Sequence, residues 1–256
     1  METENHKNKD IITITPNGLV NSFRTKKDSD DLSVYFGYKS PEDNIDGKID
    51  YYLPITFTKT PELNTENNKE EDHNNTNINN ESKSLEKIKS AFFKIFYDYD
   101  KHIYYLLDLG VGFGTFYKIE EETILKENSI VNIGESFLIF SFRNKNMETD
   151  EQINEDDLIL KIYSNDQEYE PIIIQGTDRV YQVGRSDKCD VYIKDRMLSR
   201  VHCILVFIDN NWYIKDGNEN KNESTNGTWM FANEETEIKE GMKFKSNSCN
   251  FTCKFQ

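Results

Sequence analysis

The chain has 256 residues, with 46 acidic side chains against 31 basic ones and a formal net charge of −15. This acidic excess argues against binding to nucleic acid or to an anionic membrane, because both of those partners carry negative charge themselves. The sequence also contains no apolar run of about eighteen residues, which predicts a soluble chain.

Two polar stretches divide the sequence. Residues from about 62 to 84 are mostly Asn, Glu, Lys, Asp, Ser and Thr, and such a composition buries too little apolar surface to become ordered. Residues 144–156 are rich in Asn, Glu and Asp. We therefore predict a flexible tail at 1–9, a domain at 10–143 with a disordered insertion at about 62–84, a linker at 144–156 and a second domain at 157–256. A functionless Asn-rich insertion is the simpler interpretation, and a regulatory or partner-binding tail is the alternative.

The second domain consists of short segments rich in Val, Ile, Phe and Tyr, separated by Gly, Asn, Asp or Ser. No stretch has the apolar spacing of an amphipathic helix over about ten residues. The predicted strands are Leu158–Ile162, Ile172–Ile174, Val180–Val183, Val191–Ile193, His202–Ile208, Trp212–Ile214, Trp229–Phe231 and Phe251–Phe255. This pattern predicts an all-β sandwich.

Three polar clusters lie where predicted strands end. They are Gly184-Arg185-Ser186, Ser199-Arg200-Val201-His202 and Ser224-Thr225-Asn226-Gly227-Thr228. In this order, and with a Trp-Tyr-Ile-Lys-Asp strand before the third cluster, they resemble the forkhead-associated (FHA) domain over residues 157–256. The resemblance implies a β-sandwich whose loops at one end bind phosphothreonine peptides.

A phosphothreonine needs a fixed set of donors, because it carries nearly two negative charges and several strong acceptor oxygens. Arg185 is the candidate phosphate clamp, since a guanidinium can bind phosphate oxygens bidentately and a lysine cannot. Ser199 can donate its hydroxyl and its backbone N–H to the same phosphate. Arg200 adds charge or a peptide contact, and Thr225 belongs to the same group. The Asn226 amide both donates and accepts, which suits the main chain of an extended peptide.

Four further residues are expected to support these loops. Gly227 permits a positive φ and a close approach of the backbone, and His202 is expected to hold the loops together by hydrogen bonding. Gly184 and Thr228 complete the group. Each motif has an ordinary explanation when taken alone, since Gly-Arg is a common dipeptide and Asn-Gly is a strong hairpin signal. Their order and combination favour a phosphate site.

Local charge agrees with this interpretation. The stretch from Asp178 to Arg200 contains six basic and four acidic residues, although the whole chain is strongly acidic. The excess of two is small, but it has the sign that a phosphopeptide site requires.

The first half is predicted to repeat the second. At an offset of 113, Gly114-Thr115-Phe116 matches Gly227-Thr228-Trp229, and Leu138, Phe140 and Phe142 match Phe251, Cys253 and Phe255. Upstream, an offset of 147 places Gly37 on Gly184, and an offset of 109 places Ser90 on Ser199. We therefore expect two tandem FHA-type β-sandwiches, the first carrying the insertion.

The first copy lacks the residues that would bind phosphate. The replacements are Tyr38 for Arg185, Phe93 for His202, and Val111-Gly112-Phe113 for Ser224-Thr225-Asn226. Only Ser90 keeps its identity, and Lys39 is the one nearby cation that could partly replace the arginine. We predict a first sandwich that does not bind phosphothreonine and instead packs on the second domain, dimerises or holds an unphosphorylated partner.

Little in the sequence supports an enzymatic function. The segment Gly110–Thr115 is similar to a glycine-rich nucleotide loop, but such a loop needs a helix after it and Phe116–Ile119 reads as a strand. The four cysteines form no Cys-x-x-Cys pair, and no histidine lies at ligand spacing from them. We predict no catalytic residue, no metal site and no cofactor.

The sequence thus predicts a non-catalytic adaptor for threonine-phosphorylated proteins. The expected compartment is intracellular, with the nucleus favoured over the cytoplasm by the resemblance alone. The alternative is a structural or dimerising FHA-fold protein, including a homodimer through the first domain, because the long segment Asn218–Ser224 could tilt Asn226 away from a peptide. No motif encodes the preferred peptide sequence, the partner or the pathway.

Overall fold

A computed structural model describes residues 10–15, 18–20, 33–38, 49, 51–53, 91–142, 157–164, 167–220 and 222–255. Within these ranges the chain forms strands, turns and loops, and it contains no helix. The all-β prediction is therefore confirmed. The predicted tail, insertion and linker lie outside the described residues.

We call residues 10–142 the first repeat and residues 157–255 the second repeat. The strands of the first repeat are β1 (Asp10–Thr15), β2 (Gly18–Val20), β3 (Val34–Gly37), β4 (Tyr51–Tyr52), β5 (Ala91–Asp98), β6 (Ile103–Asp108), β7 (Thr115–Lys118), β8 (Thr123–Ile124), β9 (Ser129–Ile133) and β10 (Ser136–Phe142).

The strands of the second repeat are β11 (Leu158–Ser164), β12 (Gln167–Glu168), β13 (Ile172–Ile174), β14 (Tyr181–Gly184), β15 (Val191–Tyr192), β16 (Cys203–Ile208), β17 (Asn211–Asp216), β18 (Thr228–Phe231), β19 (Thr236–Glu237), β20 (Lys243–Ser246) and β21 (Cys249–Phe255). Most are rich in β-branched and aromatic residues, whose side chains pack well on a pleated surface. Turn residues with positive φ, such as Asn128 and Asn247, separate them.

The strands recur at the offsets that the sequence predicts. The strands β7, β8 and β10 correspond residue for residue to β18, β19 and β21 at an offset of 113, and β3 corresponds to β14 at an offset of 147. The two repeats therefore carry equivalent sets of strands at the described positions.

The last strands of the two repeats are exchanged. From the first repeat, β8 pairs with β17, β9 pairs with β18, and β10 pairs with β11. From the second repeat, β19 pairs with β6, β20 pairs with β7, and β21 pairs with β1. Each sandwich is thus completed by strands of the other repeat.

One long sheet joins the two sandwiches. Its strand order is β12-β11-β10-β9-β18-β7-β20-β21-β1-β2, with β13 also paired to β11. Two five-stranded sheets, β15-β14-β16-β17-β8 and β19-β6-β5-β3-β4, supply the other layers. Each smaller sheet packs its apolar face against one half of the long sheet, and each such pair of layers forms one sandwich.

Two apolar cores result, and each draws side chains from both repeats. The core that we call the site core contains Ile119, Leu125, Val131, Ile133, Leu138 and Phe140 of the first repeat, together with second-repeat residues such as Leu160, Val183, Leu198, Leu205, Trp212 and Met230. The core that we call the companion core contains Phe36, Leu53, Phe92, Phe93, Ile95 and Leu106 of the first repeat, together with Ala232, Ile238, Met242, Phe244, Cys249, Phe251 and Cys253 of the second.

The exchange is centred on the antiparallel pair β7–β18. Tyr117 pairs with Met230 at the middle of this pair, and the same two residues correspond to each other at the offset of 113. The exchange is therefore pseudo-twofold about this point. Tyr117 packs against both cores.

A lysine and an asparagine meet beside this centre at equivalent positions. Lys245 Nζ donates to Asn132 Oδ1 at 2.6 Å and lies 4.6 Å from the centre of the Trp229 ring. Burial lowers the pKa of Lys245 to about 8. The aromatic face and the amide oxygen compensate the ammonium group for part of its lost hydration.

The predicted domain ranges 10–143 and 157–256 describe the two sequence repeats, but neither core is confined to one of those ranges. The reason is physical: β8 and β10 match β19 and β21 in length, and β10 and β21 share one burial pattern over their first five residues, so the local sequence pattern fits either pairing. Sequence pattern alone does not decide which pairing forms.

Cleavage between the repeats tests this arrangement. A protease site introduced into the polar segment 144–156 of the full-length chain should cut the backbone and leave the two pieces associated. Each buried side chain that an escaping piece withdraws from the opposite core costs about 1.5–3 kcal/mol. Size-exclusion chromatography in native buffer should show one peak at the uncut mass, and the same sample in denaturant should show two. Two native peaks at the masses of the separate pieces would contradict the exchange.

Candidate functional site

The three polar clusters predicted from the sequence meet at one end of the site core. The backbone N–H of Arg185 donates to Ser199 O at 3.1 Å, and the N–H of Ser186 donates to Arg200 O at the same distance. The N–H of Thr225 donates to Ser199 Oγ at 2.9 Å. The loops after β14, before β16 and before β18 therefore form one continuous surface.

Gly184 allows the first two loops to approach each other. A Cβ atom at this position would lie 2.3 Å from Arg200 O and 3.0 Å from Ser199 O, both of which are backbone atoms. A side chain would separate β14 from the segment that carries Ser199. The supporting role that the sequence predicts for Gly184 thus has a steric cause.

The side chain of Arg185 is exposed to solvent. Among the described residues its guanidinium forms no ion pair. It lines an open depression together with Tyr192, Lys194, Asp195 and Arg196. The only carboxylate there is Asp195, which is buried beneath the loop. This is the environment that an incoming dianion requires.

Ser199 has its hydroxyl at the surface of this site. Its Oγ accepts the Thr225 N–H at 2.9 Å and lies 3.2 Å from Thr225 Oγ1. The expectation that its backbone N–H would also bind phosphate is wrong, because that N–H donates to His202 Nδ1 at 3.1 Å. Only the hydroxyl of Ser199 remains to donate to a ligand.

His202 joins two of the loops from inside. It is fully buried, and its Nδ1 accepts from Ser199 while its Nε2 donates to Gly227 O at 3.1 Å. These two contacts require the neutral ring with the proton on Nε2. Burial lowers the pKa of His202, and the Gly227 bond and the charges of Asp216 and Asp195 offset part of that shift. The predicted buttressing role agrees with this geometry.

Asp216 closes the third loop, and sequence reasoning missed it. Its carboxylate accepts from Ser224 N at 2.9 Å, from Ser224 Oγ at 2.6 Å and from Thr228 Oγ1 at 2.6 Å. Ser224 Oγ in turn accepts the Gly227 N–H at 2.9 Å. The sequence feature that indicates this role is an aspartate at the end of the Trp-Tyr-Ile-Lys-Asp strand, followed by the serine and threonine residues of the third cluster. The hydrogen bond from Thr228 Oγ1 to Asp216 agrees with the supporting role predicted for Thr228.

Asn226 stands at the tip of the same loop and is exposed. Its Nδ2 donates to Met197 O at 2.7 Å, and its carbonyl accepts from Trp229 Nε1 at 2.8 Å. Gly227 has a φ of +76°, as predicted, which turns the chain directly after Asn226. The loop holds Asn226 close to Met197, so the long segment before it does not tilt it away from the second cluster.

Arg200 is exposed, and its backbone rather than its side chain makes the local contacts. Its carbonyl accepts from Ser186 N at 3.1 Å and from Cys189 Sγ at 3.1 Å. Its guanidinium forms no ion pair with a described residue. It therefore adds positive charge to the rim of the site.

The corresponding end of the first repeat is apolar. Tyr38 is half-buried and stacks on Phe92, with ring centres 5.4 Å apart. Phe113, at the position of Asn226, is 81% exposed, and its N–H donates to Asn247 Oδ1 at 3.1 Å. Ser90 and Lys39 lie outside the described residues.

One predicted correspondence needs correction: Phe92, and not Phe93, occupies the place of His202. Phe36 pairs with Phe93 as its counterpart Val183 pairs with Cys203. The offset in this strand is therefore 110 rather than 109. A register irregularity follows between Phe36 and Gly37, and a one-residue shift of this kind is invisible in a gapped comparison of two repeats.

The glycine-rich segment Gly110–Thr115 leads into a strand. Gly110, Gly112 and Gly114 all have positive φ, and β7 begins at Thr115. A phosphate-binding loop of the nucleotide type needs a helix N-terminus at this point. The geometry here is that of a turn between two strands.

Residues 181–245 match the family model described as the FHA domain. The second half of the chain contains an FHA domain. FHA domains are generally phosphothreonine-peptide-binding modules in protein interactions, and they are typically non-catalytic. No curated protein and no solved structure matches the chain. Among the described residues, no cluster of His, Cys, Asp and Glu is arranged to hold a metal ion, and no helix is long and apolar enough to cross a membrane.

The buried neutral His202 predicts a pH dependence of stability. Its pKa is lowered from 6.5 in the folded state, so the unfolded chain binds a proton at a pH where the folded chain does not. Stability should therefore fall as the pH drops below 6.5, by up to about 1.4 kcal/mol per pH unit. Urea unfolding at pH 7.5 and 5.5 measures this. His202→Gln should reduce the difference between the two pH values, and an unchanged difference would contradict the assignment.

Proposed function

We propose that this protein is a non-catalytic adaptor whose FHA domain binds threonine-phosphorylated proteins through Arg185, Ser199, Arg200, Thr225 and Asn226. One observation carries the proposal. The exposed guanidinium of Arg185 has no ion-pair partner among the described residues, and the backbone N–H of Arg185 donates to Ser199 O, which makes the two residues neighbours in the site. A free guanidinium next to a hydroxyl donor is suited to a phosphate dianion.

The surrounding charge supports the same ligand. Lys194, Arg196 and Arg200 are exposed around Arg185. The carboxylate of Asp195 is buried and hydrogen-bonded, and Asp190 forms an ion pair with Arg179. The loops therefore keep a small excess of positive charge, even though the whole chain carries a net charge of −15.

Rigid support of the donors favours recognition over a transient ionic contact. Ser199 is fixed through its N–H by buried His202, and Thr225 is fixed through Ser199. Asn226 is held against Met197 O. Because the loops are already ordered by internal hydrogen bonds, little conformational entropy remains to be lost when a peptide binds.

The first repeat is proposed to act as a scaffold that does not bind phosphothreonine. Tyr38 packs against Phe92 where the second repeat has its free arginine. Phe113 stands where the second repeat has Asn226. Neither side chain can neutralise a phosphate, so the recognition chemistry is assigned to the second repeat alone.

Substitution of Arg185 tests the proposal. Arg185→Ala should weaken binding of the full-length chain to a randomised phosphothreonine peptide pool at least about tenfold, since a charge-assisted contact contributes about 1.5–3 kcal/mol. Arg185→Lys should restore little of the affinity, because an ammonium cannot form the bidentate contact. Fluorescence anisotropy with a labelled pool provides the measurement.

The matched control is Arg179→Ala, which removes an exposed arginine that is already paired with Asp190 and stacked on Tyr181. It should leave the affinity close to wild type. Equal affinity of the wild-type chain for phosphorylated and unphosphorylated pools would refute phosphate recognition. Chromatographic sizing with and without peptide then separates a dimerising protein from a phosphopeptide-binding one.

A further inference from the structure

Asp195 organises the loop that carries Met197 and Ser199. The residue is 5% exposed. Its Oδ1 accepts the Met197 N–H at 2.8 Å, and its backbone carbonyl accepts the Leu198 N–H at 3.2 Å. A buried carboxylate is stable only when its oxygens are supplied with donors. The shape of this loop therefore depends on what binds the second carboxylate oxygen.

The donors to that second oxygen come from the first repeat. Asp195 Oδ2 accepts the Glu135 N–H at 2.8 Å and the Ser136 hydroxyl at 2.8 Å. Both donors lie in the turn between β9 and β10, which we call the bracing turn (Gly134, Glu135 and Ser136). Ser136 itself is fully buried. The contact spans 59 residues of chain between Ser136 and Asp195.

Gly134 shows how closely the bracing turn fits the loop. It has a φ of +57°, and a Cβ atom there would lie 2.8 Å from Asp195 Oδ2 and 3.0 Å from Met197 Cβ. Any larger residue would press directly on the loop.

The loop transmits this support to candidate ligand residues. Met197 O accepts Asn226 Nδ2 at 2.7 Å, and Ser199 Oγ accepts the Thr225 N–H at 2.9 Å. A continuous path of contacts therefore runs from the bracing turn through Asp195 to Asn226 and, along the loop, to Ser199.

We infer that the bracing turn of the first repeat is part of the phosphopeptide site of the second, with Ser136 as a positioning residue that acts through Asp195. The inference rests on the proposed function. The two repeats then form a single binding unit, in which the repeat without phosphate-binding residues holds the loops of the repeat that has them. The exchange of strands produces this arrangement. Because β9 and β10 belong to the site core, the turn between them lies against the loops of the site.

The pseudo-twofold supplies a matched control at the other end of the molecule. The turn between β20 and β21 holds Asn247, whose Oδ1 accepts the Phe113 N–H at 3.1 Å. This is an equivalent turn-to-loop contact that does not reach the site. Asn247 has a φ of +53°, so Asn247→Gly removes the contact while keeping the backbone conformation. At the place of Ser136 the second repeat has Cys249.

The test uses four full-length variants, namely Ser136→Ala, Ser136→Cys, Gly134→Ala and Asn247→Gly. Each is titrated with the labelled phosphothreonine pool. Ser136→Ala should raise the Kd about three- to tenfold, less than the direct loss of a hydrogen bond to the ligand, because Ser136 acts through Asp195 and the Glu135 N–H still donates to that carboxylate. Ser136→Cys fills at least the space of the hydroxyl but replaces it with a weak donor, and should behave like the alanine variant. Gly134→Ala should weaken binding as well, and Asn247→Gly should bind as wild type.

Amide hydrogen exchange of Met197 and Leu198 gives a readout that needs no ligand. Both amides donate to Asp195 and should exchange faster in Ser136→Ala than in wild type, whereas Asn247→Gly should leave them unchanged. A uniform rise in exchange over the whole chain would show general destabilisation and would overturn the positioning role.

The outcomes separate the two proposals. If the wild type binds the pool and Arg185→Ala abolishes binding, but Ser136→Ala binds normally, the positioning role is refuted and the function stands. If Ser136→Cys restores full affinity, the effect is one of volume and the hydrogen bond is not responsible, which also refutes it. If the wild type binds no phosphothreonine peptide, the proposed function fails, and the exchange of the two amides alone decides whether the bracing turn orders the loop.

Discussion

Each apolar core of this chain is closed by strands that belong to the other repeat, and this exchange couples the two sandwiches and supports the loops of the site. Leu138 and Phe140 of β10 are fully buried beside Leu158 and Leu160 of β11. Phe244 and Phe251 are buried in the same way among residues of the first repeat. Neither repeat holds a complete core in this arrangement, so the two sandwiches are coupled through their apolar interiors and not only through a surface contact.

The exchange has a direct effect on the site. The loop that carries Ser199 receives support from both repeats: His202 holds it from the second, and the bracing turn holds it through Asp195 from the first. A phosphate site needs donors in a fixed arrangement, because each donor contributes fully to affinity only when little conformational entropy remains to be lost on binding. The first repeat, which has Tyr38 and Phe113 at the places of Arg185 and Asn226, thereby contacts the loop of the second repeat.

Asymmetry at the pseudo-twofold favours pairing of the first repeat with the second. Asn132 and Lys245 occupy equivalent positions and bind each other across the centre, beside Trp229. An exchange between two second repeats would place one half-buried lysine opposite another, which costs free energy because neither charge is compensated. The Asn–Lys pair therefore discriminates between partners as well as adding one hydrogen bond.

Apolar alternation and turn residues are local properties, so the all-β class, the internal repeat and the positions of the three clusters could be predicted from the amino-acid sequence alone. It also predicted that Arg185, Ser199 and Asn226 would meet. Three features are evident only in the folded chain: the last strands are exchanged, the Ser199 N–H donates to His202, and Phe92 rather than Phe93 occupies the place of that histidine in the first repeat. These features depend on contacts between distant parts of the chain. They are the pairing of equivalent strands, a one-residue register shift and the choice of a hydrogen-bond partner. Two repeats with the same alternation satisfy the local pattern in either arrangement.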